Sequence, residues 1–338
     1  MSEAADRSVI VSDRVRLARN YHDLPFSTQK SPENALLCIA RAREAMDALE
    51  QEYTLYQLSA MPQVERMKLV ERHLISRDLL KNADSGAALI RSDRRVSVMV
   101  NEEDHLRIQA IGDGRSLRDT AQDAFEAEEA LEDVCTFSFD PQLGYLTSCP
   151  TNTGTGMRAS LMMHLPMLTR YKQMGNVNQT IAKLGLTIRG IYGEGSEALG
   201  DLYQVSNQVT LGRTEEEIID AVTAVGKKMI DMEQALRQRA MKEKHAELTD
   251  AIWRSYGLLR YARQIDEKEF MQHWSHLRLG AVMEVLSTPL SSVDELLTVA
   301  QSAHAKRYAE SMGAELTADQ ARCAMIRATL RILPYPFF

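Results

Sequence analysis

Residues Asn101-Glu102-Glu103-Asp104-His105-Leu106-Arg107 place two adjacent carboxylates, a histidine and an arginine directly after an alternating apolar run, Val96-Ser97-Val98-Met99-Val100. The alternation predicts a strand, because side chains on a strand switch faces with period two. If the extended geometry continues, Glu103, His105 and Arg107 share one face while Leu106 and Ile108 turn to a core. A carboxylate and a guanidinium on one face suit a site that handles a cation and an anion together. A second segment, Val9 to Leu17, puts Val9, Val11, Val15 and Leu17 on one parity and Arg14 and Arg16 on the other. Its bland alternative is a surface strand with two solvated arginines. Projected from a rigid strand, two guanidinium forks can instead clamp a polyphosphate bidentately.

Two further segments carry the same logic. In Gly144 to Ser160, a short strand is expected to run into Cys149, followed by a loop marked by Pro150, Gly154 and Gly156. Arg158 is expected to open a helix, Met157 to Leu165, whose first N–H groups would face an anion. In Arg189-Gly190-Ile191-Tyr192-Gly193-Glu194-Gly195-Ser196-Glu197, an outward arginine precedes a glycine-rich loop bearing two carboxylates.

In this order, Ser12-Asp13-Arg14-Val15-Arg16, Asn101 to Arg107, Cys149-Pro150-Thr151-Asn152 with Arg158, and Arg189 to Glu197 resemble the phosphagen (guanidino) kinase superfamily. Within it they are similar to the bacterial protein arginine kinases, over roughly residues 8 to 285. The resemblance implies transfer of the ATP γ-phosphoryl group to a guanidinium, with ATP and Mg²⁺ as cofactors and no protein-held metal. It implies Glu103 as the main catalytic carboxylate and Cys149 as a reactive thiol that holds a guanidinium edge. A second carboxylate is Glu194 or Glu197, a choice left open by a three-residue slip in the glycine-rich alignment. Ser12, Arg14, Arg16, Arg107, Arg158, Ala159, Ser160, Arg189, Gly190, Tyr192 and Gly193 fall on ATP-binding motifs. His73 matches a nucleotide-contacting position, or is simply a helix-end histidine facing the dipole. A guanidinium is protonated and delocalised near neutral pH, hence a poor nucleophile. Carboxylates can fix its planar fork and receive its proton, and phosphoryl transfer is otherwise mostly positioning and electrostatics. No Gly-x-x-x-x-Gly-Lys-Ser/Thr segment and no His-Arg-Asp loop supports another kinase architecture.

These side chains need a scaffold. Helices are expected over 33–50 (capped by Ser31 or Asn34), 62–73, 115–133, 157–172 and 175–184, and strands over 143–149, 184–192 and 202–211. The fold class expected is α+β: a curved antiparallel sheet flanked by helices, as in the guanidino kinase catalytic fold, followed by an all-α C-terminal domain. Thr214-Glu215-Glu216-Glu217 reads as a capping box opening the helical part, so the division expected is 1–213 for phosphotransfer and 214–338 for dimerisation and regulation. Pro289 breaks one helix there, and the charged run Arg237 to His245 reads as a solvated face.

Composition bounds the rest. Among 338 residues, 44% are hydrophobic and 26% charged, with a net charge of −7, ordinary for a globular protein and without the basic stripe of a nucleic-acid binder. No apolar run reaches the ~20 residues of a membrane span. The four cysteines, Cys38, Cys135, Cys149 and Cys323, lack metal or disulfide spacing. The acidic start is not a signal peptide, and the cytoplasm is the expected compartment. With 11 residues before Ser12, the helical domain that precedes this motif in small-guanidino kinases is expected to be missing, opening the site to arginines exposed on protein substrates. The resemblance further implies a homodimer, a Clp-type unfoldase and protease, a zinc-containing activator, and a place in stress response. It also implies a phosphoarginine pocket, degenerate here: Asp319 and Arg322 match, but Ala318 and Cys323 replace the motif's first arginine and last alanine. The alternatives are a non-catalytic adaptor that binds arginine or phosphoarginine for a protease, and a kinase for free arginine.

Overall fold

A computed structural model describes residues 6–26, 31–114, 116–192, 198–313 and 315–331. Eight strands form one antiparallel sheet: β1 (Ile10–Arg19), β2 (Tyr53–Gln57), β3 (Ala87–Arg91), β4 (Val96–Val100), β5 (Leu106–Gly112), β8 (Met157–His164), β9 (Leu186–Tyr192) and β10 (Ala198–Asn207). Their order is β2-β3-β4-β5-β1-β8-β10-β9. The short strands β6 (Phe139–Asp140) and β7 (Gly144–Tyr145) form a separate hairpin. Period-two burial makes β1 amphipathic: Val15 and Leu17 are buried, whereas Arg14 and Arg16 project from the other face. A bulge at Ile10/Ser12 takes Val11 off the expected parity. Asp13 is buried and accepts from the Gly114 N–H at 2.6 Å, pinning β1 to the turn after β5.

The helices α1 (Pro32–Asp47), α4 (Leu117–Val134) and α7 (Glu215–Glu243) cover the apolar face. Ser31 is the cap of α1, accepting from the Asn34 N–H. The buried stripe of α4 is largely alanine (Ala121, Ala124, Ala127), which lets the helix lie close to the sheet. Thr214 and Glu217 form the expected capping box of α7. Gly226 does the same work on α7 as the alanines on α4: a Cβ there would sit 2.4 Å from Leu161 Cδ1. The shorter helices α2 (Gln63–Glu71), α3 (Arg77–Lys81), α5 (Pro166–Arg170) and α6 (Met174–Ala182) lie between strands. After α7, the described residues hold only helices: α8 (His245–Tyr261), α9 (Glu267–Val282), α10 (Leu290–Val299), α11 (Ser302–Ser311) and α12 (Ala318–Arg331). One buried apolar cluster runs from the sheet through α7 and α9 to Leu330. A second (Leu58, Leu74, Ile75, Leu79, Ala88, Ile90, Met99) fills the opposite face of β3 and β4.

Several expectations change. The helix expected over 157–172 is strand β8 followed by the five-residue α5. Met and Leu favour helices in isolation, but β8 is hydrogen-bonded on both sides, to β1 and β10, and tertiary pairing overrides propensity. The strand expected over 143–149 contracts to Gly144–Tyr145, and that over 202–211 lies at Ala198–Asn207. Arg237 is not on a solvated face. It is buried, paired with the equally buried Glu233 at 2.8 Å, and donates to the Ser8 and His164 carbonyls. Glu233 accepts from the Met167 and Leu168 N–H groups, so the pair joins α7 to α5 and to the start of the chain.

Candidate active site

Antiparallel register gathers arginines from distant parts of the chain onto one face. Arg16 on β1 stands opposite Arg158 on β8 and Gln109 on β5, and Arg14 opposite Ser160. Arg107 on β5 and Arg189 on β9 extend the row to both sides. The crowding is electrostatically visible. Burial, followed by the positive charges of Arg14, Arg107 and Arg158, lowers the Arg16 guanidinium to about 9. Arg158 is lowered by burial, then by Arg189 and Arg107. The Arg16 Nε is buried without a hydrogen-bond partner. An orphaned buried donor amid like charges is costly unless an anion completes it. These residues therefore fit a polyphosphate. Ser160 lies on the same face, its hydroxyl 3.5 Å from the Arg14 carbonyl. Ala159 points into the core, and its N–H is donated to Asn207 Oδ1.

Glu103 does not lie on a strand. β4 ends at Val100, Asn101 turns with φ +64°, and β5 starts at Leu106. Within this turn Glu102 is buried and paired with Arg107, and it also accepts from the Ser76 hydroxyl and the Glu103 N–H. Glu103, at its neighbour's side, is partly exposed and reaches to 3.7 Å from the second Arg107 nitrogen. Burial, then Asp104, raises its proton affinity above the usual carboxylate range against the pull of Arg107. His105 is not at the site. It is buried and stacked on Tyr21, its Nδ1 accepts from the Tyr21 N–H, and its Nε2 donates to the Pro25 carbonyl. The turn breaks the parity that would have aligned it with Glu103.

Asp104 and Asn20 were not visible as site residues in the sequence. Asp104 Oδ1 accepts from Asn20 Nδ2 at 2.7 Å and from the Ser148 N–H at 2.6 Å. Asn20 in turn donates to the Leu146 carbonyl and accepts from the His105 N–H. This buried hub ties the Glu103 turn to the segment entering Cys149. Cys149 and Thr151 then sit with Sγ and Oγ1 3.1 Å apart. A cavity of about 270 Å³ is lined by Arg16, Asp78, Glu103, Arg107, Cys149, Thr151, Asn152 and Arg158, among others. Asp78 is a third missed residue. The Ser76 N-cap starts α3 and delivers it to the cavity, and the Lys81 ammonium at 2.6 Å holds it below the usual carboxylate range. Glu194, Glu197 and Gly193 lie outside the described residues, as does the side chain of Tyr192; Gly190 is on β9 opposite Tyr203.

A second cavity, about 300 Å³, shares Arg16 and Arg107 with the first and adds Arg14, His73, Gln109, and Glu267, Gln301 and Ser302 from the helical part. His73 follows α2 with φ +59°, so it is past the helix end. Burial, followed by Arg14, pushes its imidazole down to about 3, leaving it neutral. The helical wall is held from both sides. Glu71 accepts from the Ala303 and His304 N–H groups and from His304 Nδ1, and Arg322 donates to the Ser302 hydroxyl. Arg322 also donates to Ala300, Ile265 and Asp319 and is buried. Asp319 and Arg322 thus serve an internal tie. Among the described residues no group of three His, Cys, Asp or Glu side chains could hold a metal ion, and no helix is long and apolar enough to cross a membrane.

An arginine row beside a carboxylate–thiol cavity, on an antiparallel sheet, is what the resemblance to the guanidino kinases leads one to expect. Residues 38–236 match the ATP:guanido phosphotransferase C-terminal catalytic domain, and residues 245–336 match the protein-arginine kinase McsB C-terminal domain. Among solved structures, the chain is similar to a lombricine kinase (TM-score 0.61, 25% identity, covering 69% of this chain and 68% of that one). It is also similar to the duplicated taurocyamine kinase from Schistosoma mansoni with bound transition-state-analogue components (TM-score 0.64, 26% identity, 75% and 38%). The chain belongs to the ATP:guanido phosphotransferase family. Relatives within it include protein-arginine kinases: that of Caldanaerobacter subterraneus subsp. tengcongensis is 43% identical, covering 89% of this chain and 91% of its own. That of Pelotomaculum thermopropionicum is 41% identical, covering 98% and 95%. This chain is accordingly a protein-arginine kinase in its enzyme class.

Proposed function

We propose that ATP occupies the His73 cavity with its phosphates along Arg14, Arg16, Arg107, Arg158 and Arg189, and that a protein's arginine side chain enters the Cys149 cavity. The guanidinium nitrogen forms a bond to the γ-phosphorus as the bond from that phosphorus to the β,γ-bridging oxygen breaks. ADP leaves, and Glu103 takes the proton released by the nitrogen. The raised proton affinity of Glu103 suits that role, since a base works best when its pKa approaches the working pH. Cys149 and Asp78 hold the other edges of the guanidinium, with Glu194 or Glu197 as a further carboxylate. Glu102 fixes Arg107, and Asp104 fixes the Cys149 segment. Mg²⁺ arriving with the nucleotide would supply further charge neutralisation there.

What carries this reading is that the two cavities share Arg16 and Arg107, so a nucleotide in one and a guanidinium in the other meet across one guanidinium row. We further propose the division at residue 213, with the helical part serving dimerisation and regulation, and a cytoplasmic enzyme that marks proteins for Clp-type proteolysis in stress response, with a zinc-containing activator. Incubation with Mg²⁺-ATP and an unstructured arginine-rich protein, beside free arginine, tests the central claim. Acid-labile phosphate on the protein is expected. Transfer to free arginine alone would overturn it in favour of a metabolic enzyme.

A further inference from the structure

The loop that carries Cys149 into the cleft is backed by Thr210, whose hydroxyl lies 3.2 and 2.7 Å from the Thr151 and Thr153 carbonyl oxygens. Around that support Phe139, Leu143, Leu184, Val209 and Leu211 are each 45 to 56% exposed. Backbone packing brings Leu143 close to Leu211, and Leu184 close to Val209. A Cβ on Gly144, next to Leu143, would lie 2.5 Å from the Gly154 oxygen, and one on Gly154 would lie 2.8 Å from Leu211 Cα. Phe139 packs edge-on to Tyr145, which is bridged to Gly154. The Phe139 hairpin is also rigid: Asp140 accepts from the Gln142 and Leu143 N–H groups at 2.8 and 2.9 Å. Beside it runs an acidic margin. The Tyr145 hydroxyl donates to Glu132, and Glu129, Glu132 and Asp133 are exposed on α4.

Contiguous exposed apolar surface marks a binding site more often than scattered single residues do. The surface meets the Cys149 cavity through Thr151, which lines that cavity and accepts from Thr210, the neighbour of Leu211. An arginine that reaches that cavity from a polypeptide brings flanking residues, and these must lie over the rim. A small guanidino compound would leave the rim unused. Resting on the reading of the cleft as a protein-arginine site, we propose that Phe139, Leu143 and Leu211 dock apolar side chains flanking the target arginine in an extended substrate segment. The acidic margin favours further basic residues in the same segment. The rim thereby sets a sequence preference for arginines with apolar neighbours.

Two short peptides of equal net charge test this, each with one arginine, one flanked by Leu and Phe and the other by Ser and Gly. The wild-type enzyme is expected to favour the first in kcat/KM by about tenfold, the factor that corresponds to ~1.4 kcal/mol, mostly through KM. The triple variant Phe139→Ser, Leu143→Ser, Leu211→Ser is expected to lose that preference while phosphorylating the Ser/Gly peptide at the wild-type rate. The hairpin pair Phe139→Ser, Leu143→Ser serves where the triple variant does not fold by circular dichroism. Equal use of both peptides by wild type, a preference that survives the substitutions, or equal slowing on both peptides would each overturn the rim as a docking surface. If wild type phosphorylates neither peptides nor an arginine-rich protein, the reading of the cleft itself fails, and this inference with it.

Discussion

Replacing Asp104 by alanine probes the joint between the two halves of the catalytic cavity. The carboxylate is 2% exposed and accepts from Asn20 Nδ2 at 2.7 Å and the Ser148 N–H at 2.6 Å. Hydrogen bonds to a charged acceptor contribute about 1.5–3 kcal/mol each. Asn20 keeps its second acceptor, the Leu146 carbonyl, and Ser148 is only half-buried, so each loss falls toward the low end. Asp104→Ala should therefore cost roughly 3–4 kcal/mol in urea unfolding. Asp104→Asn keeps one acceptor oxygen and should cost about half as much. The same change frees the segment leading to Cys149. A misplacement of about 1 Å at a reacting centre costs on the order of 100-fold in rate. Steady-state assays of the folded variant, below its unfolding midpoint, should show kcat/KM for the arginine substrate down by that order with KM for ATP little changed. Full stability with unchanged turnover in Asp104→Ala would refute the joint, and a loss confined to ATP binding would put Asp104 in the wrong half of the cleft.

Glu103→Gln should lower kcat by about 10²–10⁴-fold, the usual contribution of a general base, with ATP affinity unchanged by calorimetry. Near-normal turnover would remove Glu103 from that role. Inorganic tripolyphosphate should raise the melting temperature of the wild type by relieving the Arg16 cluster, whereas Arg16→Ala should weaken its binding about 10–150-fold, the worth of one charge-assisted contact. Equal binding by both proteins would sink the polyphosphate assignment. His73 sets a pH dependence with a definite sign. Its folded pKa, about 3, lies below the unfolded value, so its stabilising contribution is complete above pH ~6.5 and is lost as pH falls toward 3. Between pH 6.5 and 5 this amounts to roughly 2 kcal/mol, and His73→Gln should flatten the stability profile by that much; parallel profiles would show that the imidazole is not buried neutral. Phosphoarginine peptide should bind the helical part weakly or not at all, because Ala318 replaces a guanidinium and Arg322 is committed to Ala300, Ile265 and Asp319. Competition binding that reveals a site there as tight as the active cleft would contradict this.

The side chains that carry charge were legible in order along the chain. Arg14 and Arg16 follow from period-two alternation, Glu103 and Arg107 from a polar run after a strand, and Cys149 from its Pro-Thr-Asn context. The capping box at Thr214 also follows from local pattern, because it depends on contacts within three residues. Three-dimensional pairing decided the remainder. Met157 to His164 became a strand because two neighbours bind its backbone, which no local propensity records. His105 left the site because Asn101 turns the chain, and Asp78, Asp104 and Asn20 entered it through contacts across 44 to 126 residues of sequence or through a cavity wall. The burial of Arg237 and Arg322 likewise depends on partners supplied by other elements. Sequence by itself determined which chemistry the chain carries, since that resides in residue types and short spacings. The tertiary structure alone decided which of those groups face one another and which became internal ties, because desolvation and Coulomb interaction act between neighbours in space.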